Sequence, residues 1–400
     1  MQSGHYGGDI MITNVKVKHY KITGPSKSQR RIDFFRRWWI HLAPLPFLAL
    51  IPAAKAAPGV VELFFSRGWY SFVAHTYGFL TSLIPISLTE IGILAFTGIC
   101  IWLLFREIRY CWQIGSIQRF FQNVLFWSTR FICGIVALFM ILCGFNYYRV
   151  PFAESYGLTV QDSSPEELYA LCMELEQEAN QLRDQLPEND LGIMELSKNS
   201  FRLAREAKAT FQALSDHPAL PGYPISPKPV LNSWAMSLME ITGVFCPITF
   251  EANVNINAPD HGVPASMCHE LAHTRGHMHE DEANFIAYLA CRESPYPEFR
   301  YSGTMLALSH ASNRLRNADG DLYQEWLAQL SEKVRMDFRY ESVYWARFET
   351  PVGDVSTAVN HAYLQLNSQK DGVQSYGRMV DLLLADYRAR HSGESQTGTL

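Results

Sequence analysis

Charge is scarce in this 400-residue chain. Asp, Glu, Lys and Arg make up 18% of it while aromatic residues reach 13%, a balance expected when part of a chain sits in lipid. None of the eight cysteines forms a CxxC pair, which argues against a cysteine-built zinc site. No P-loop or dinucleotide fingerprint occurs, so those phosphate cradles are excluded. No internal repeat is present, which excludes a repeat architecture. The charge that exists is unevenly placed. Residues 1–147 hold 14 Lys and Arg against 5 Asp and Glu, a balance of +9, and the remainder holds 20 against 34, a balance of −14. The acidic second part argues against a nucleic-acid partner.

The first part reads as a membrane region. Residues 1–37 form a basic, polar tail, expected in the cytoplasm, with Arg30-Arg31 and Arg36-Arg37 at its end. Residues 38–149 contain about three transmembrane helices: Trp38 to Ala54, interrupted by two prolines; Leu83 to Phe105; and Phe131 to Tyr148, with Trp127 and Tyr147-Tyr148 as belt residues. Residues 58–80 are aromatic and mixed, and are expected in the membrane interface. Positive charges on the tail and at Arg106, Arg109, Arg119 and Arg130 put the N-terminus inside. Three spans then place residues 150–390, a folded domain, outside the cytoplasm in a multi-pass protein of the cell membrane. Residues 391–400, rich in Ser, Gly and Thr, read as a disordered tail.

The stretch from Met267 to Phe285 organises that domain. It contains His269-Glu270-Leu271-Ala272-His273. Residues i and i+4 share a helix face, so His269 and His273 can offer two imidazoles to one metal. Glu270 lies about 100° round, within reach of a water as general base. The alternating run Ile248–Ile256 reads as a half-buried strand. Pro264 suits the first turn of the next helix, Gly276 ends it, and a second helix runs from about Glu280 to Glu293. His273 and Glu280 therefore both sit near the connecting turn. Asn284, one turn after Glu280, can hydrogen-bond a ligand. Glu282, about 200° from Glu280, points away. His279 is the alternative third ligand, because H-E-x-x-H-x-x-G-x-x-H is also satisfied. That pattern needs a Met-turn, for which Met305 is a poor candidate, so Glu280 is favoured. His277 reads as a solvent-exposed turn residue. Cys268 and Cys291 lie 8 residues before Gly276 and 15 after it, and are not expected to face each other.

HExxH followed by a Glu that opens a helix, with Asn four residues on, resembles the gluzincin zinc peptidases. Glu280-Asp281-Glu282-Ala283-Asn284-Phe285-Ile286-Ala287 is similar to the E-x-E-A-N-x-F-A run of the minimal zincin peptidases that cleave phage and damage-response repressors. The order of parts from Val244 to Leu289, behind three membrane segments, also looks like an uncharacterised family of bacterial membrane-anchored HExxH proteins, with a likeness reaching from the third membrane segment to about Tyr387. One departure is that most gluzincins have a longer gap between the second His and the Glu. These resemblances imply an α+β, mainly helical protein in which N-terminal transmembrane helices precede a zincin-like metallopeptidase domain. They imply Zn²⁺ on His269, His273 and Glu280, Glu270 as general base, and a peptide or protein substrate aligned along the 248–256 strand. Tyr301, His310 and Tyr376 are candidate oxyanion helpers. The other class considered is a non-catalytic zinc-binding envelope protein or sensor, which has no need of Glu270.

Overall fold

The structure is a computed structural model that describes residues 27–366 and 378–397. Most of the basic tail, the turn Gly372–Tyr376, and residues 398–400 lie outside the described residues.

Among the described residues three helices are long and apolar enough to cross a membrane: Asp33–Ala56, Leu88–Gln113 and Ile117–Leu142. Their ends follow local chemistry more than hydropathy. The first turns at Pro44, between helical runs Lys27–Leu42 and Leu45–Ala56. The second starts at Leu88 because Ser87 caps it, its hydroxyl accepting from Glu90 N at 2.9 Å. Gly115, at φ +62°, then makes the turn into the third. Cys143 closes the third, and a tight turn over Gly144–Tyr148 follows. Tyr147 and Tyr148 are consequently buried in the domain and do not form a membrane belt. The first and third helices run in the same direction. Arg130 donates to Arg37 O at one end, and Lys55 packs on the Tyr148 ring at the other.

Residues 58–80, expected in the membrane interface, are built into the domain together with the chain up to Ser87. They form wide helical turns over Val61–Tyr70 and Ala74–Gly78, with Val61, Tyr70, Val73 and Ala74 buried. Glu62 accepts two bonds from Arg149, at 2.9 and 2.8 Å, well out of solvent.

A small sheet holds the middle of the domain. Strands β1 (Lys228–Val230), β2 (Gly243–Cys246) and β3 (Glu251–Asn255) lie in the order β1-β3-β2, with β3 parallel to β1 and antiparallel to β2. The 248–256 strand is therefore central, with both edges paired, and is not half-buried. Its apolar side, Ala252 and Val254, joins the core, and its polar side is buried too. Glu251 accepts from Thr89 N at 2.8 Å and Leu88 N at 3.2 Å, placing a carboxylate on the positive end of the second apolar helix. Asn253 bonds Ser87. The sequence alternation is real, but the polar face meets a helix end and not water.

Helices surround the sheet. The motif helix Val263–Thr274 lies between it and the acidic helix Glu280–Arg292. Beyond these pack Pro165–Arg183, Ser200–Gln212 and the long helix Pro297–Ala318. Arg183 and Asp337, both fully buried, pair at 2.7 Å and tie the outer helices together. The last helix, Met379–Thr397, continues past residue 391, where the sequence reads as a tail.

Candidate metal centre

His269, Glu270 and His273 ride on the motif helix, whose first turn contains Pro264 and whose end is the turn at Gly276, φ +84°. A side chain at Gly276 is strained by φ and would force Asn146 to shift, since its Cβ would lie 2.9 Å from Asn146 Nδ2. Tyr70 reaches in from the 58–87 segment and donates to His273 O at 2.8 Å, supporting the last turn.

The acidic helix brings Glu280 to the same place. Its Oε2 lies 3.2 Å from His269 Nε2 and its Oε1 lies 3.7 Å from His273 Nε2. One donor atom from each of the three residues lies within 4.8 Å of the others. The outer ring nitrogens are engaged: His269 Nδ1 with Asn284 Oδ1 at 2.7 Å and His273 Nδ1 with His277 O at 2.7 Å. These bonds leave both Nε2 atoms turned towards Glu280.

The charges follow from this packing. Burial lowers the pKa of His269, but the Glu280 hydrogen bond and charge outweigh that and lift it to about 9. Burial raises Glu280, but its bond to His269 and the charges of His273 and His269 bring it down to about 2. Burial holds His273 down, to about 4. Burial pushes Glu270 up to about 8, with the His269 charge opposing and Glu280 assisting. Glu270 Oε2 is buried with no hydrogen-bond partner among the described residues. Its other oxygen lies against Gly243 of β2, where an added Cβ would come within 2.4 Å of Oε1.

Beside the cluster lies a cavity of about 620 Å³, lined by Glu270, by β2, by the long helix and by helix Pro351–Leu366. Strand β2 forms one wall, and among the described residues no strand pairs with its outer edge. The strand available for edge pairing is thus β2 and not 248–256.

The other singled-out residues fall elsewhere. His279 bonds Tyr147 O at 3.1 Å and stacks edge-on with its ring. Glu282 accepts from Phe152 N at 2.6 Å and faces His277. His277, expected in solvent, is fully buried: Nε2 contacts Ala219 O at 2.9 Å and the ring meets Phe152. Cys268 and Cys291, expected apart, touch side chain to side chain, because the five residues 275–279, and not Gly276 alone, separate the two helices. Met305 belongs to the long helix and forms no turn beneath the cluster. Among the oxyanion candidates, the Tyr301 hydroxyl donates to Asp337 at 2.6 Å. Burial and then the nearby His269 charge lower His310 to about 4. Tyr376 lies outside the described residues. Sequence reasoning missed Gly243 and the tyrosines at the cavity wall, Tyr147 and Tyr363, whose hydroxyls meet at 2.8 Å. Nothing local marks them, since each acquires its position from a distant element.

The fold and the cluster define a mainly helical protein with three helices of membrane-spanning character and a His-His-Glu group beside a cavity. Residues 65–384 match the family described as "Protein of unknown function (DUF3810)", and the chain belongs to that family. The match begins within the 58–87 segment and so takes in all three strands and the whole cluster. No curated protein and no solved structure matches the chain.

Proposed function

We propose that this protein is a membrane-anchored, zinc-dependent peptidase with a zincin-like domain. The observation that carries the reading is Glu270: a buried carboxylate with an unpartnered oxygen, next to a three-donor cluster and facing a cavity. A structural zinc site has no use for such a group, because closed sites fill all four positions with ligands. The donor set fits zinc. Tetrahedral bonds of about 2.0–2.1 Å space the ligand atoms about 3.3 Å apart; Glu280 Oε2 lies 3.2 Å from His269 Nε2, and one donor atom from each of the three residues lies within 4.8 Å of the others.

His269, His273 and Glu280 would hold the ion. When bound, it supplies a Lewis acid for the substrate carbonyl and positive charge that favours the ionised form of Glu270. Asn284 and the His277 carbonyl keep the two imidazoles turned to the centre. Glu270 Oε2 accepts a proton from the attacking water and returns it to the leaving amine. Strand β2, through the edge that no described strand pairs, aligns the peptide in extended form by backbone pairing. The basic end of the membrane helices, where Arg37 and Arg130 meet, lies in the cytoplasm, and the domain lies on the opposite side. A reporter fused after Leu400 is expected to be active outside the cytoplasm; activity only inside reverses the orientation.

The full chain, purified in detergent with zinc present, is expected to hold about one zinc per chain by elemental analysis. Glu270→Gln is expected to keep that zinc and to lose peptidase activity by about 10²–10⁴-fold. A protein free of metal, or a zinc-loaded Gln variant with full activity, overturns the mechanism.

A further inference from the structure

The cavity extends to the membrane end of the domain. Its walls run from Glu240 and Thr242 to Tyr147 and Cys143, the first residue beyond the third apolar helix. Helix Pro351–Leu366 roofs it with Ser356, Thr357, Val359, Asn360 and Tyr363. The Tyr363 ring stands edge-on to Phe139, in the last turn of the third apolar helix, with centroids 6.1 Å apart. One end of the roof is thereby level with the end of a segment able to cross a bilayer.

The roof also carries an exposed apolar edge, formed by Val352 and Val355 and reaching the cavity rim at Val359. Val352, Val355 and Val359 fall within roughly 60° of one another on the helix. They are 48%, 64% and 64% exposed. Next to the second apolar helix the surface is similar: Leu231 and Trp234 are 65% and 59% exposed, and Leu231 N donates to Glu90 in the first turn of that helix. A single surface valine needs no explanation. A stripe of three, continuous through Tyr363 with a membrane helix, lies where a bilayer surface would cover it.

We propose that helix Pro351–Leu366 rests on its valine stripe in the bilayer surface, and that the cavity beneath it takes polypeptide anchored in the same membrane. The substrate assignment rests on the peptidase reading, in which water is added across one amide to give a carboxylate and an amine. The bilayer contact does not depend on that reading.

The test uses the full chain in phosphatidylcholine–phosphatidylglycerol vesicles. Val355→Cys and Asp354→Cys each carry an environment-sensitive fluorophore, read over the background of the parent chain. Nitroxides on the lipid acyl chains are expected to quench the probe at 355 several-fold more than the probe at 354, and aqueous iodide to do the reverse. Equal iodide quenching at both positions overturns the bilayer contact. So does shielding at 355 from both quenchers that grows with protein density, which would mean a second copy covers the stripe. The substrate is tested with one peptide library, free or linked to a palmitoyl chain. Val352→Asp combined with Val355→Asp is expected to cut cleavage of the anchored library about tenfold and leave the free library unchanged. Equal effects on both libraries, or none, overturn the substrate assignment. If the parent chain cleaves neither library, the peptidase reading and the substrate assignment fall together, and the quenching still decides the bilayer contact.

Discussion

Glu280, His279 and Glu282 are near neighbours in sequence, yet their side chains serve three places. Glu280 enters the cluster, His279 turns to the Tyr147 carbonyl, and Glu282 is held below by Phe152 N and His277. Burial raises the pKa of Glu282, but the His277 bond and the charges of His279 and His277 bring it to about 2, so it is an ionised support within the core. Glu280→Ala is expected to lower zinc affinity most. Asn284→Ala should cost about 10–100-fold, since it frees the His269 ring, and His279→Ala little. Glu282→Ala is expected to leave zinc affinity near that of the parent but to reduce stability by about 1–3 kcal/mol, because it strands the buried Phe152 amide. Zinc titrations and melting curves on the four variants check this, and a largest affinity loss at His279 would give the cluster to His269, His273 and His279. The separation of Glu280 from Glu282 was legible from helical phase. The burial of His277 was not, because its partners, Ala219 and Phe152, are 58 and 125 positions away in the sequence.

At the scale of elements, β2 takes the cavity-side position that the sequence suggests for the 248–256 run. The alternating 248–256 run has the stronger strand signal, and it became the sheet centre with Glu251 on the end of the second apolar helix. The short β2, with glycine at its start, became the cavity wall. Gly243 packs on the Glu270 carboxylate without room for a methyl group. Gly243→Ala is therefore expected to displace Glu270 and lower peptidase activity about 10–100-fold, while zinc content stays near one per chain. Unchanged activity would show that Glu270 does not depend on β2 for its position. The Cys268–Cys291 contact was equally hidden, because a residue count along the chain cannot measure how far a connecting loop displaces the next helix.

For the whole molecule, the boundary between membrane part and domain does not fall at one place in the chain. The domain core includes Tyr70, Val73 and Ala74, and its buried Arg149 pairs with Glu62. A fragment of residues 150–400 lacks Glu62, Tyr70 and Arg149 and is expected to be aggregated or molten. A chain that keeps residues 58–149 is expected to melt cooperatively. Sharp amide dispersion in the shorter fragment would contradict this. The helix–Gly turn–helix arrangement around His269, Glu270, His273 and Glu280, and the presence of three long apolar helices, were determined by the sequence itself, because helical periodicity, glycine at positive φ and hydropathy act over a few turns of chain. The centrality of 248–256, the burial of His277, the inclusion of residues 58–87 in the core and the placing of Tyr363 against Phe139 were decided only in the tertiary structure. Each depends on segments well separated in the chain finding one another, from 25 positions between Lys228 and Asn253 to 224 between Phe139 and Tyr363, and the free energy of that packing has no local signature in the chain.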